Sequence, residues 1–226
     1  MANEVDDEAT QSFLAPEVTA HYADGYEAQR LTGRRDSIEF LRTKELALRY
    51  LPPAPAVILD VGGGPGAYAL WLARLGYTVH LVDALPLHVE LAQQASQAQP
   101  DAPLASATLG DARQLAQPDA SADATLLLGP LYHLTERDDR VQALREARRV
   151  TRPGGVVLAA AISRYASLID CILNGRFADP AAADIVRQDI ADGQHRNPTN
   201  HPNYFTTTYF HHPSELAEEM ADAGLR

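Results

Sequence analysis

The 226-residue chain has one cysteine, Cys171, one lysine, Lys44, and no apolar run longer than a strand. A lone cysteine excludes an intrachain disulfide and suits a reducing compartment, so a cytoplasmic protein is expected. Runs this short fall well below the roughly 20 apolar residues a membrane helix needs, which sets aside a membrane partner. Basic charge is scarce too: 19 Lys and Arg stand against 30 Asp and Glu, a net charge of −11. So acidic a surface repels phosphate backbones, and nucleic acid is not an expected partner. No basic run compensates, because Arg145, Arg148 and Arg149 read as the solvated face of a helix. Residues 1–10 are acidic and lack the basic and apolar regions of a secretory signal. What is present is ordinary for a globular protein, 46% hydrophobic and 22% charged, and the length admits one substantial α/β domain.

The order of elements decides the fold class. Residues 20–50 have a helical pattern, with apolar Ile38, Leu41, Leu46 and Leu48 among charges and Asp36 and Ser37 as candidate caps. Pro52, Pro53 and Pro55 end it. Strands are expected at 57–61, 78–83, 105–109, 123–128 and 156–162, and helices at 66–75, 86–98 and 136–150. Strands separated by single helices imply a parallel sheet covered on both faces: a doubly wound, Rossmann-like α/β fold. After Ser163 the alternation stops. Helices are expected at 165–173, 181–191 and 213–223, a strand at 204–210 and a polar loop at 194–203, with Ser214 capping the last helix and Gly224 ending it. The chain divides into an N-terminal helical lid region (1–50), a cofactor-binding core (51–163), an inserted substrate cap (164–212) and a return to the core (213–226).

Asp60-Val61-Gly62-Gly63-Gly64-Pro65-Gly66 follows an apolar strand and opens a helix. Glycines suit a loop that must turn tightly and let a nucleoside cofactor touch backbone. Asp83, at the end of the second strand, can accept hydrogen bonds from both ribose hydroxyls and repels a 2′-phosphate; it can also cap the helix starting near Pro86. Both features also fit a nicotinamide-dependent oxidoreductase, since Gly62-x-Gly64-x-x-Ala67 matches the dinucleotide fingerprint.

The remaining motifs favour another cofactor. Gly110-Asp111-Ala112 follows the third strand, Leu126-Leu127-Leu128-Gly129-Pro130-Leu131-Tyr132-His133 closes the fourth, and Arg152-Pro153-Gly154-Gly155 precedes the fifth, with Pro153 and Gly154 central in a type II turn. In this order and spacing, over about residues 55–163, the chain resembles the class I S-adenosylmethionine-dependent methyltransferases. The resemblance implies that Asp60, Gly62, Gly63, Gly64 and Gly66 form the cofactor loop. It makes Asp83, with Ala84 beside it, the ribose acid, has Asp111 and the Ala112 amide hold the adenine, and sets Leu128 and Gly129 facing the methyl group. It also implies a lid before the first strand, where Tyr22 and Tyr26 can face the sulfonium and Arg30 can pair with the methionyl carboxylate.

Two departures qualify it. The fourth strand runs into Leu128-Gly129-Pro130-Leu131, not Asn/Asp-Pro-Pro-Tyr, so nucleobase and glutamine nitrogens are not the expected acceptors. The family sheet continues with two strands after the helix at 213–223, whereas the sequence stops at Arg226, so further residues are expected.

Methyl transfer from a sulfonium needs alignment first, and a base only where the acceptor must lose a proton. His133, just beyond the fourth strand, is the candidate base, with a structural histidine as the other reading. His195, His201, His211 and His212 cluster without metal-site spacing and read as cap residues, so no metal is expected. The expectation is therefore a methyltransferase acting on a small-molecule acceptor. The alternatives are an NAD-dependent oxidoreductase, which would lack a Tyr-x-x-x-Lys pair, or an S-adenosylmethionine-binding protein without turnover.

Overall fold

A computed structural model describes residues 13–23, 38–199 and 201–226. Helices α1 (Pro16–Ala23) and α2 (Ile38–Tyr50) precede β1 (Val57–Val61), α3 (Ala67–Arg74), β2 (Thr78–Asp83), α4 (Pro86–Gln97), β3 (Ser106–Leu109) and β4 (Ala122–Leu127). Next come α5 (Arg137–Val150), β5 (Thr151–Ala159), β6 (Ile162–Ser163), α6 (Ala166–Leu173), α7 (Pro180–Asp192), β7 (Gln194–His195), β8 (Thr208–His211) and α8 (Pro213–Asp222).

The main sheet has the order β3-β2-β1-β4-β5, and every ladder in it is parallel. Residue alternation makes it two-sided. Ile58, Leu81 and Leu126 pack with Leu72 and Ala73 of α3 and Ala92 of α4, while Leu59, Val82 and Leu127 pack with Leu144 and Val150 of α5. The strand order reverses between β1 and β4, so a crevice opens at their carboxyl ends, the position where open α/β sheets bind ligands.

Several elements differ from the sequence reading, among them β7 (Gln194–His195), inside the expected polar loop, and β8, which starts at Thr208 and not at 204. The Pro153-Gly154 turn is built as a bulge inside β5: the register jumps from Ala122↔Thr151 to Ala124↔Val156, with Gly154 at φ +79°. The strand thus starts earlier than expected, and Ile162–Ser163 pairs with β8 in a small second sheet, order β6-β8-β7. In α2 the buried residues are Phe40 and Ala47, while Ile38, Leu41 and Leu48 face solvent, because the surface beneath the helix selects its buried stripe. The cap of α8 is His212, whose side chain and Glu215 form a capping box, with Ser214 two positions inside. Asp36 and Ser37 lie outside the described residues. Arg145 and Arg148 are exposed as expected, but Arg149 binds Glu146, Asp119 and the Leu115 and Gln117 carbonyls, tying down the loop before β4.

One ion cluster is buried outright. Arg140 of α5 donates to Glu219 of α8 at 2.7 and 2.9 Å and to the Leu134 and Thr135 carbonyls, and its guanidinium lies 3.6 Å from the Tyr209 ring centroid. His211 Nε2 meets the other Glu219 oxygen at 3.1 Å. Removing one partner of such a cluster strands a buried charge. Among the described residues, no helix is long and apolar enough to cross a membrane.

Candidate active site

At the crevice two loops interlock. Gly62 has φ +69° and its N–H donates to the Val82 carbonyl at 2.7 Å; a Cβ there would lie 2.5 Å from Pro130 Cδ. From the other side, a Cβ on Gly129 would lie 2.9 Å from the Gly62 carbonyl oxygen. Side chains would therefore hold the β1 and β4 loops apart. Gly63 and Gly64 line the cavity that results, as do Leu128, Ala84, Asp111 and Ala112. Gly66 does not. At φ +90° it starts α3 and faces Ala92 of α4, so it sets helix packing instead.

Two carboxylates lie behind the loop. Asp60 is 1% exposed, its Oδ2 has no hydrogen-bond partner, and burial, with Asp83 nearby, raises its pKa from 3.8 to about 7. Asp83 accepts from the Gly64 N–H at 2.8 Å and the Leu85 N–H at 2.9 Å, and meets His88 Nδ1 at 3.1 Å. Among the described residues, the cradle's paired acids have no arginine or lysine partner. The cradle fits a cationic ligand such as a sulfonium with an ammonium group, and it opposes a diphosphate.

The cavity is about 800 Å³ and continues from this cradle to residues of the 164–212 segment, including Ser167, Ile185, His195 and Phe205. Helix α1 covers the junction. Its Val18 and Tyr22 pack on Leu85, the Tyr22 hydroxyl meets His133 Nε2 at 2.8 Å, and Glu17 is bonded by Thr206 and Thr207.

The model of the methyltransferase-domain family matches residues 59–159. Over that stretch, which carries the glycine loop and both carboxylates of the cradle, the chain matches a methyltransferase domain. The chain is 32% identical over 142 residues to the methyltransferase GfsG of Streptomyces halstedii, covering 62% of this chain and 47% of that protein. It is 33% identical over 127 residues to the ubiquinone/menaquinone biosynthesis C-methyltransferase UbiE of Caulobacter sp. (strain K31), covering 53% and 49%. It thus spans about half the length of the curated relatives it matches. A SAM-dependent methyltransferase structure from Methanosarcina mazei shares the fold, with TM-score 0.60 at 22% identity over 79% of this chain and 82% of that one. A methyltransferase domain of this family implies S-adenosylmethionine as cofactor, with S-adenosylhomocysteine as product.

Within the methyltransferase domain, Asp111 is gripped by Arg113, whose Nε and second guanidinium nitrogen contact both carboxylate oxygens at 2.7–3.1 Å. Arg113 is held in turn by Asp139 and the Phe13 carbonyl, so the acid expected at the adenine is fixed in place from behind. His133 lines the cavity, but burial lowers its pKa from 6.5 to about 4, with contact to the Thr207 backbone partly opposing. A conjugate acid that strong makes a poor proton acceptor at neutral pH, and its Nε2 is already engaged by Tyr22. The geometry makes His133 a latch for α1. Tyr26 and Arg30 lie outside the described residues.

The four clustered histidines separate. His212 caps α8, His211 joins the buried ion cluster, His201 stacks on Tyr204, and His195 is buried against Asp189. Among the described residues no group of metal-ligating side chains comes together. Sequence reasoning missed Arg113, His88, Phe205 and Asp189. Only Arg113 carried a signal, its position two residues after an acid expected at the ligand.

Proposed function

We propose that this protein transfers the methyl group of S-adenosylmethionine to a small-molecule acceptor. The observation that carries this reading is the single cavity joining an acid-backed glycine cradle to a pocket under the 164–212 segment. At about 800 Å³ it is in the upper part of the range of small-molecule sites and leaves room beyond the cofactor.

S-adenosylmethionine supplies an electrophilic methyl on a sulfonium that leaves as a neutral thioether, so aligning the acceptor is the main task. In this reading Asp60, Gly62, Gly63, Gly64, Asp83, Ala84, Asp111, Ala112, Leu128 and Gly129 hold the cofactor. Tyr22, latched to His133, closes over it and presents an aromatic face to positive charge. Residues 1–50 act as lid, 51–163 as cofactor core, 164–212 as acceptor cap and 213–226 as the return to the core. The net charge of −11 supports a small acceptor over a nucleic acid. A buried free thiol, Cys171, suits the cytoplasm.

Calorimetry tests the reading directly. S-adenosylhomocysteine is expected to bind with micromolar or better affinity and NADH not to bind; binding of NADH alone would overturn it.

A further inference from the structure

The cap end of the cavity contains a histidine held quite differently from His133. Helix α7 ends at Gly193, whose φ of +76° turns the chain back on itself, and a Cβ there would lie 2.3 Å from the Phe210 carbonyl oxygen. The Gly193 carbonyl accepts from both His195 N and Phe210 N, at 3.0 and 2.7 Å. This tight reversal lays His195 over Asp189, Nδ1 to Oδ2 at 2.9 Å, with His195 3% exposed and Asp189 fully buried. Phe210 stacks on the imidazole at 4.7 Å between centroids, and Phe205 stands between this ring and His133.

A carboxylate only accepts hydrogen bonds, so Asp189 holds the proton on Nδ1 and leaves the Nε2 lone pair uncommitted. Among the described residues, no group partners that Nε2. His88 makes the same kind of pair with Asp83, but at the cofactor end beside Gly64. His195 lines the acceptor end, where the walls are mainly Cys171, Ala182, Ile185, Val186, Phe205 and Phe210, with the Asp170–Arg176 ion pair, Asn203 and Tyr204 also lining the cavity. Among the described residues, Ser167 Oγ and Asp189 Oδ1 are also without a hydrogen-bond partner.

We propose that His195, positioned by Asp189, is the general base, and that the acceptor is a largely apolar molecule presenting an ionisable hydroxyl. The inference rests on the methyl-transfer reading above. The acceptor O–H proton passes to His195 Nε2, giving an imidazolium that faces the Asp189 carboxylate. The acceptor oxygen forms its bond to the methyl carbon as the carbon–sulfur bond breaks, with that electron pair remaining on sulfur. A neutral hydroxyl needs such a base, whereas an amine attacks with its own lone pair and sheds its proton afterwards. The apolar walls match the body of the acceptor.

The test uses 1-naphthol, ring-substituted naphthols of graded acidity and 1-naphthylamine as probes, with S-adenosylmethionine and the full chain. Wild type is expected to O-methylate the naphthols. His195→Gln lowers kcat by about 10²–10⁴-fold while S-adenosylhomocysteine affinity by calorimetry stays within about twofold. The loss shrinks as the naphthol becomes more acidic, because a phenolate needs no base, and Asp189→Asn shows the same trend. Nitrogen-15 NMR of the S-adenosylhomocysteine complex is expected to show His195 protonated on Nδ1, with Nε2 shifting when 1-naphthol is added. Four outcomes overturn the inference alone: preferred methylation of the amine, wild-type kcat in His195→Gln, an equal loss across the acidity series, or no O-methylated product although S-adenosylhomocysteine binds. Failure of S-adenosylhomocysteine to bind overturns the methyl-transfer reading and this inference with it.

Discussion

At the glycine-loop end of the cavity the wall is mostly main chain, while at the cap end it is mostly side chain. The loop end is made by Gly62, Gly63, Gly64 and Gly129, with Asp83 accepting from backbone N–H groups. The other end is made mainly by apolar side chains, with Ser167, the Asp170–Arg176 pair, Asn203, Tyr204 and His195, whose orientation depends on one buried carboxylate. A main-chain wall tolerates almost no added atoms but does not care which acceptor is used. A side-chain wall can be redrawn by substitution, so the same core can serve different acceptors. His133 and Tyr22 mark the seam, where α1 touches both ends.

The sharpest way to break the contrast is to put a side chain into the main-chain end. Gly62→Val faces both the Pro130 clash and the positive φ, each worth about 1–3 kcal/mol. S-adenosylhomocysteine affinity is expected to fall by about 100-fold or more, measured by calorimetry on folded protein; unchanged binding would show that the loops do not interlock.

Asp60 behind the glycine loop and His133 at the seam also answer pH in opposite senses. Asp60 has a folded pKa of about 7, above its ordinary 3.8, so its contribution to stability is full below about 4 and is lost as pH rises through 7. His133 has a folded pKa of about 4, below its ordinary 6.5, so its contribution is full above 6.5 and is lost as pH falls toward 4. The two windows overlap and their slopes oppose, so the stability of the ligand-free protein is expected to stay nearly flat between about pH 4 and 6.5 and to fall slightly above it. Asp60→Asn should remove this pH dependence, gaining up to about 4 kcal/mol at pH 8, about 1.5 kcal/mol at pH 5 and almost nothing below pH 4, while weakening cofactor binding. A variant no more stable than wild type at pH 8 would contradict the burial argument.

The smallest effect is expected at the seam itself. Tyr22→Phe removes one hydrogen bond to His133 and should cost about 1 kcal/mol in thermal unfolding. Its S-adenosylhomocysteine affinity should drop only a few-fold; a loss as large as that of Gly62→Val would make α1 part of the cradle and not its cover.

The same division explains what could be read from the sequence. The stretch from Asp60 to Gly64 and the strand end at Asp83 were legible because a tight main-chain turn demands glycine and the parallel alternation sets where each strand ends. The face of α2 was not, because Leu41 and Leu48 are as apolar as Ala47 and only the surface beneath chooses between them. Gly66 fits the motif but serves helix packing, a difference that spacing cannot show. Asp189 and His195 are six residues apart across a helix end, and their pairing depends on the reversal at Gly193. Arg140 and Glu219 were invisible as partners, since 79 residues separate them and isolated charges read as surface.

That buried ion cluster bears on how such proteins can be recombined. Tyr209 and His211 belong to the 164–212 segment, but the guanidinium and carboxylate they surround are contributed by α5 and α8. A chimaera cut at 163 and 213 would import a foreign floor beneath Arg140 and Glu219, and could leave a charge without its neighbours. A graft running from just before α5 through the end of α8 would carry the whole cluster with it. For exchanging acceptor specificity between relatives, the heritable unit is therefore longer than the cap.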